Sequence, residues 1–279
     1  MSISNQINKI LLFGSTGMLG RYIYSYFKQN TNIEIVDIYY RIDENLDNLE
    51  NLENILTANN INSETCLINC IGLIPQRKNT NSSDKAYFLI NSIFPHILWN
   101  ICKKYNAKMI QPTTDCVFTG KNGSYIETDI HDETTSYGMS KSLGEPIGCT
   151  CIRTSIIGKE KFNKKSFLEW IISNNNNKIN GWDNHMWNGI TCLEYCLVIN
   201  KIIHENLFWS GIRHIYSPTT KSKYELAIII SEVFELNIEI NKLESDVKCD
   251  KTLYSIYDNL FEIKELYNQI KELKYFKLL

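Results

Sequence analysis

The sequence predicts a doubly wound parallel α/β sheet with a smaller, interleaved C-terminal lobe, on three observations. Short apolar runs alternate with helical stretches from Lys9 to Ile157, the rhythm of a parallel sheet covered on both faces. Gly14, Gly17 and Gly20 form a tight turn between the first such run and the first helix. After Gly158 the rhythm breaks, and no clean linker or internal repeat follows.

Taken in order, Lys9–Phe13 is an apolar strand ending at Gly14, Met18–Lys28 a helix and Ile33–Ile38 the second strand. Residues 46–58 have helical spacing, and Glu64–Ile71 is a third strand-like run before a loop with Gly72, Pro75 and a Ser/Asn/Thr tract. Asp84–Tyr105 reads as a long helix, with a kink expected at Pro95 because proline cannot donate the helical bond. Ala107–Phe118 reads as a strand. A helix opens near Ser136 and must stop by Glu145, because Pro146 follows. Cys149–Ile157 is again strand-like. Beyond it, Lys159–Trp187 is polar and tryptophan-bearing, Thr191–Glu205 is an apolar helix and His214–Ser217 a short strand. Lys223–Phe234 and Tyr254–Lys274 have helical spacing.

A hydrophobic share of 43% over 279 residues suffices for a buried core. The net charge of −2, with both signs interspersed, speaks against nucleic acid or a membrane surface as the main partner. No apolar run reaches the ~18 residues of a spanning helix, and Met1–Asn8 lacks the order of a signal peptide. Nine cysteines are an odd number, and most stand in apolar settings. They read as free buried thiols of a reduced, cytoplasmic protein. Cys149/Cys151 and Cys192/Cys196 have no matching histidine cluster, so no metal site is expected.

Gly14-Ser15-Thr16-Gly17-Met18-Leu19-Gly20 is G-x-x-G-x-x-G after a strand and opening a helix. Glycine admits the close approach of a pyrophosphate, and the helix N-terminus supplies donors and positive potential. The alternative for these glycines is close helix–strand packing. Asp37 falls about twenty residues on, where a carboxylate binds a ribose hydroxyl and favours NAD(H). Arg21 and Arg41 fall where a 2′-phosphate would sit, and arginine's planar fork suits phosphate. The reading leans to NADP(H), with NAD(H) as the alternative. Tyr137 and Lys141, four apart, share one helix face. A phenol with an ordinary pKa near ~10 needs a cationic neighbour to donate a proton at neutral pH.

Together, Thr113-Thr114-Asp115-Cys116-Val117-Phe118-Thr119-Gly120 and Tyr137–Lys141 continuing to Gly144-Glu145 resemble the dTDP-4-dehydrorhamnose reductase family of extended short-chain dehydrogenases. That resemblance also touches Lys9–Gly20, Asn69–Gly72, Asn91, Ile152–Gly158 and Gly211–Ala227. It implies a Rossmann domain of residues 1–157 plus 189–217, and a substrate-binding lobe of 158–188 plus 218–279. It implies reduction of a nucleotide-4-keto-6-deoxyhexose. Thr114 would bond the substrate carbonyl, Tyr137 act as general acid, and Lys141 tune Tyr137 and bind ribose. Cofactor contacts would come from Gly14, Thr16, Gly17, Met18, Leu19, Gly20, Asp37, Arg41, Asn69, Cys70, Gly72, Tyr137 and Lys141.

Cys116 stands where plain reductases of the family carry tyrosine. A cysteine there resembles bifunctional 3,5-epimerase/4-reductases, so Cys116 is a fourth catalytic candidate, set on the strand face of Thr114, with Lys165 or His185 as its partner. A thiol with an ordinary pKa near ~8.5 serves as acid or base after a modest shift. The product would then be a UDP- or dTDP-linked L-rhamnose. Asn91 is either a site residue or a backbone partner at the Pro95 kink. Arg153 and Arg213 are either substrate-phosphate ligands or surface cations. Trp182, Trp187 and Asn188 fall where relatives recognise the substrate nucleotide, with packing as the alternative. Pro146 shortens the helix on which relatives build a homodimer. The other classes considered are a non-catalytic regulatory subunit like that of methionine adenosyltransferase, and a nucleotide-sugar epimerase or dehydratase without net reduction.

Overall fold

β1 (Lys9–Phe13) is buried along four of its five residues because helices cover both faces of its sheet. Ile10 and Leu12 enter one apolar cluster, while Leu11 and Phe13 enter another on the opposite face, as strand alternation requires. The computed structural model describes residues 6–42, 51–77, 84–162 and 164–279.

The chain continues through α1 (Met18–Asn30), β2 (Glu34–Ile38), α2 (Leu52–Ala58) and β3 (Thr65–Asn69). Next come α3 (Asp84–Phe88), α4 (Phe94–Lys104), β4 (Lys108–Thr114), α5 (Ser136–Leu143) and β5 (Thr150–Thr154). The second half holds β6 (Ile156–Ile157), α6 (Phe167–Ser173), β7 (Lys178–Trp182), β8 (His185–Trp187), β9 (Ile190–Thr191), α7 (Cys192–His204) and β10 (Gly211–His214). It closes with β11 (Lys221–Ser222), α8 (Lys223–Phe234), β12 (Glu239–Leu243), β13 (Cys249–Asp250) and α9 (Leu266–Tyr275).

Six strands form one sheet in the order β10-β5-β4-β3-β1-β2, and every pairing in it is parallel. The expected doubly wound sheet is therefore present. The order reverses between β1 and β3, and a cleft opens there beyond the C-terminal strand ends. Smaller ladders lie outside the sheet: β12 with β7, and β8 between β11 and β13. No helix among the described residues is long and apolar enough to cross a membrane. All nine cysteines are free.

Several expectations need correction. The polar stretch Lys159–Trp187 hides α6, β7 and β8, which the absence of long apolar runs concealed. Only the last part of Tyr254–Lys274 is helical. Upstream, Glu127 accepts from the Ile256 N–H and Asn259 from the Phe261 N–H, so side chains hold that path in place of helical carbonyls. The fourth strand stops at Thr114 and turns through a 3₁₀ segment at Asp115–Val117 instead of running to Phe118. The short strand expected at His214–Ser217 lies earlier, at Gly211–His214. The start of the helix expected over 46–58 lies outside the described residues.

At Pro95 the structure shows no simple kink. A π-turn, Leu89–Ile93, joins α3 to α4 immediately before the proline. Pro95 cannot donate to the carbonyl of Asn91, four residues back, and the turn widens where that bond would close. The Asn91 carbonyl meets Gly144 just past α5, where an added Cβ would stand 1.7 Å from its oxygen. Gly144→Ala should therefore destabilise the fold by about 1–3 kcal/mol, the usual cost of overpacking. A urea midpoint equal to the parent's would show that α5 does not depend on this approach.

Candidate active site

Gly14 has φ +77°, and a Cβ there would stand 2.8 Å from the Cys70 carbonyl carbon. One at Gly20 would stand 2.1 Å from the Gly14 oxygen. The turn thus brings the ends of β1 and β3 against the start of α1, and only glycine permits this. Gly17 is the N-cap of α1 and supplies no side-chain cap, and the first turn holds no acidic residue, so its electropositive end is left for an anion.

A cavity of about 520 Å³ opens there. Gly17, Met18, Leu19, Asn69, Cys70 and Gly72 line it on one side, and Thr114, Cys116, Tyr137 and Lys141 on the other. Gly14, Thr16 and Gly20 shape the turn without lining the cavity, and neither Asp37 nor Arg41, both exposed at the end of β2, reaches it. Arg21 is elsewhere: its guanidinium donates to the Leu279 carbonyl at 2.9 Å, which removes it from the expected phosphate clamp.

Thr114 ends β4 and caps the following 3₁₀ turn by accepting from the Cys116 N–H at 3.1 Å. Its hydroxyl donates to Asp115 at 3.1 Å. Cys116 therefore reaches the cavity through a turn, not by the two-residue period of a strand. Burial pushes its thiol up to about 12, helped by the Asp115 carboxylate, and the thiol donates to Asp115 Oδ1 at 3.6 Å. The expectation of an acid-or-base thiol narrows accordingly, since at neutral pH it holds its proton.

Tyr137 lies on α5, whose N-cap Thr135 accepts from the Gly138 N–H at 3.2 Å. Burial raises its phenol above the ordinary value, Cys116 and Asp115 add to this, and a hydrogen bond with Thr114 opposes it. Burial lowers the Lys141 ammonium, which donates to the Pro112 carbonyl at 3.5 Å. Lys141 thus shares the phenol's cavity while bonded to the backbone of β4.

Behind the cavity, Arg153 is fully buried and holds Glu145 through two bonds, Nε–Oε1 at 3.1 Å and Nη2–Oε2 at 2.7 Å. It also donates to His131 Nε2 at 2.7 Å and His214 Nε2 at 2.9 Å, and lies 5.3 Å over the Phe118 ring. Both imidazoles must be neutral to accept, so their Nδ1–H groups donate, His131 to Ser142 on α5 and His214 to the Tyr254 carbonyl. Arg153 is thus neither a phosphate ligand nor a surface cation.

Asn91 clamps the Leu73 backbone with bonds of 2.8 and 2.9 Å and reaches Ser140 on α5 at 3.1 Å, so its backbone partner is the cavity loop, not its own helix. Asn188 pairs with the Leu253 backbone and Trp187 is buried, which makes both packing groups, while Trp182 is partly exposed. Lys165 lines the cavity. His185 does not, being bonded to Ser245 and Val247. Sequence reasoning missed Lys251, which lines the cavity and pairs with Glu133 at 3.7 Å. Nothing in its neighbourhood along the chain signals that place.

Residues 8–178, more than half of the chain, match the RmlD substrate binding domain family. A search of curated proteins by sequence gives no match. Among solved structures, a dTDP-4-dehydrorhamnose reductase from Bacillus anthracis in complex with NADP is 16% identical, with a TM-score of 0.80 over 96% of this chain and 98% of that one. The Yersinia enterocolitica dTDP-4-dehydrorhamnose reductase is 20% identical at 0.75, over 95% and 98%. A UDP-N-acetylglucosamine 4-epimerase from Methanobrevibacter ruminantium, bound to UDP-N-acetylmuramic acid, is 17% identical at 0.73, over 96% and 97%. These likenesses show a shared fold.

The buried histidines make stability depend on pH. Burial, then Arg153, lowers His131 and lowers His214 to about 4. An imidazole depressed on folding gives stability that is whole above its unfolded pKa of ~6.5 and is lost as pH falls toward the folded value. Chemical denaturation should show a loss on the order of 3 kcal/mol between pH ~6.5 and ~4, reduced in His214→Asn. An identical loss in that variant would place the sensitivity elsewhere.

Proposed function

Because the chain belongs to the RmlD substrate binding domain family, we propose that it reduces a nucleotide-linked 4-keto-6-deoxyhexose with NADPH. The observation that carries this reading is the meeting of Thr114, Tyr137 and Lys141 on one cavity with the uncapped start of α1. The glycine turn suits the cofactor, since Gly14 and Gly20 let the ends of β1 and β3 close against the start of α1, which sets Gly17, Met18 and Leu19 on the cavity wall. The N-terminal amides of α1 at Met18 and Leu19 would hold the pyrophosphate against Gly17, whose own N–H closes the turn on the Gly14 carbonyl at 3.0 Å, and Asn69, Cys70 and Gly72 the nicotinamide side. The choice of NADPH rests on Arg41, with Asp37 opposing it. Residues 158–188 and 218–279 act as the sugar-nucleotide lobe, which the presence of Lys165 and Lys251 on the cavity wall supports.

When bound, a reduced nicotinamide would supply the hydride that the ketone carbon needs. What remains is an alkoxide oxygen needing a proton, and the Tyr137 phenol, held in its neutral form by burial, gives it. Thr114 donates to the same oxygen once its hydroxyl turns away from Asp115. Lys141 binds ribose hydroxyls and sets a positive charge behind the phenolate left on Tyr137.

The same reading includes 3,5-epimerisation before reduction. A 4-ketone acidifies the hydrogens on C3 and C5. A base on one face, Lys165, removes such a proton, and the Cys116 thiol returns one from the opposite face. The protonated state of that thiol supports the donor role.

Tyr137→Phe should keep cofactor affinity and lose ~10²–10⁴-fold in ketosugar reduction. Near-normal turnover would remove the phenol from the mechanism. In deuterated solvent the parent should carry label at C3 and C5 of its product, and Cys116→Ser should carry far less. An unlabelled product from an active parent would leave a reductase alone.

A further inference from the structure

Arg213 lies on β10, one of the two edge strands of the main sheet. Its guanidinium is held 5.1 Å from the Trp209 ring and 4.8 Å from the Tyr257 ring. Among the described residues it makes no hydrogen bond or ion pair. It opens on a cleft of about 90 Å³ that shares no lining residue with the large cavity. The cleft is built from ordered parts. Glu127 holds Ser255 at 2.5 Å, the Tyr257 N–H donates back to Ser255 at 3.2 Å, and Lys201 ties down the Leu260 carbonyl at 3.0 Å.

Two aromatic rings against the guanidinium restrict a ligand to its edge, where the N–H groups form a planar fork. A flat acceptor with two oxygens meets that edge with two parallel bonds. The small volume admits a compact group on a short stem. Leu260, Phe261 and Ile263 make the rest of the wall apolar, and Asp258 at the same cleft opposes any anion, a dianion about twice as strongly as a monoanion. We propose that this cleft is a second binding site, specific for a carboxylate carried on a short branched apolar stem. Such a group comes either from a free small carboxylic acid or from the C-terminus of a polypeptide ending in an aliphatic residue.

Calorimetric titration of the full chain at constant ionic strength tests this with 3-methylbutanoate, 3-methylbutan-1-ol, inorganic phosphate, and acetyl-Gly-Gly-Leu as free acid and as amide. Saturable binding is expected for 3-methylbutanoate or the peptide acid, or both, and which of them binds identifies the source. The alcohol, the amide and phosphate should not bind. Arg213→Lys keeps the charge without the fork and should weaken binding on the order of tenfold, while Arg213→Gln should abolish it. Thermal melts of both variants check that they fold. Overturning results are the absence of saturation by either acid, equal binding of phosphate, or a dissociation constant unchanged in a folded Arg213→Lys.

Discussion

The buried pair of Arg153 and Glu145 is the interaction on which the candidate site depends. Two charges removed from water are costly unless every donor and acceptor is answered. Here Glu145 takes two bonds from Arg153 and a third from the Thr113 hydroxyl at 2.7 Å, while two more of the five guanidinium N–H groups end on two neutral histidines. Glu145 stands just beyond α5, Thr113 on β4, Arg153 on β5 and His214 on β10. One polar knot therefore sets α5 against three strands of the sheet.

That matters because α5 is short, eight residues ending ahead of Pro146. So short a helix has little stability of its own, and its direction comes from what surrounds it. Ser142 is held by His131, the Ser140 carbonyl accepts from Ser92 at 2.7 Å, and Gly138 lies so close to Glu133 and the Cys116 carbonyl that a Cβ would not fit. The same enclosure raises the Tyr137 phenol and the Cys116 thiol above their ordinary values and lowers the Lys141 ammonium below its own. Position and protonation thus have one cause, the packing of α5 beneath the cavity.

Much of this was legible in the chain because it is local. The glycine turn, the alternation of strands and helices, and the four-residue spacing of Tyr137 and Lys141 are short-range patterns with direct structural meaning. Roles set by distant partners were not legible. Arg153 reads as any cation until His131 and His214 fold onto it, and Arg21 reads as a phosphate ligand until Leu279 arrives. Lys251 reaches the cavity through β13 pairing with β8 far upstream. The irregular path from Tyr254 to Glu265 has helical spacing, yet Glu127, more than a hundred residues away, takes the Ile256 N–H and keeps it out of a helix.

Two of the ladders outside the main sheet, β7 with β12 and β8 with β13, are each made by two separate passages of chain. β7 and β8 come before α7, while β12 and β13 come after α8, and each early strand is zipped to a late one. Between those passages the chain returns to the sheet to lay down β10. This part of the molecule is therefore not a cassette, because no continuous segment contains it and no single exchange between relatives could transplant it whole. Diversification of what the cavity accepts must proceed by substitution in place, one side chain at a time, with the sheet constraining every step.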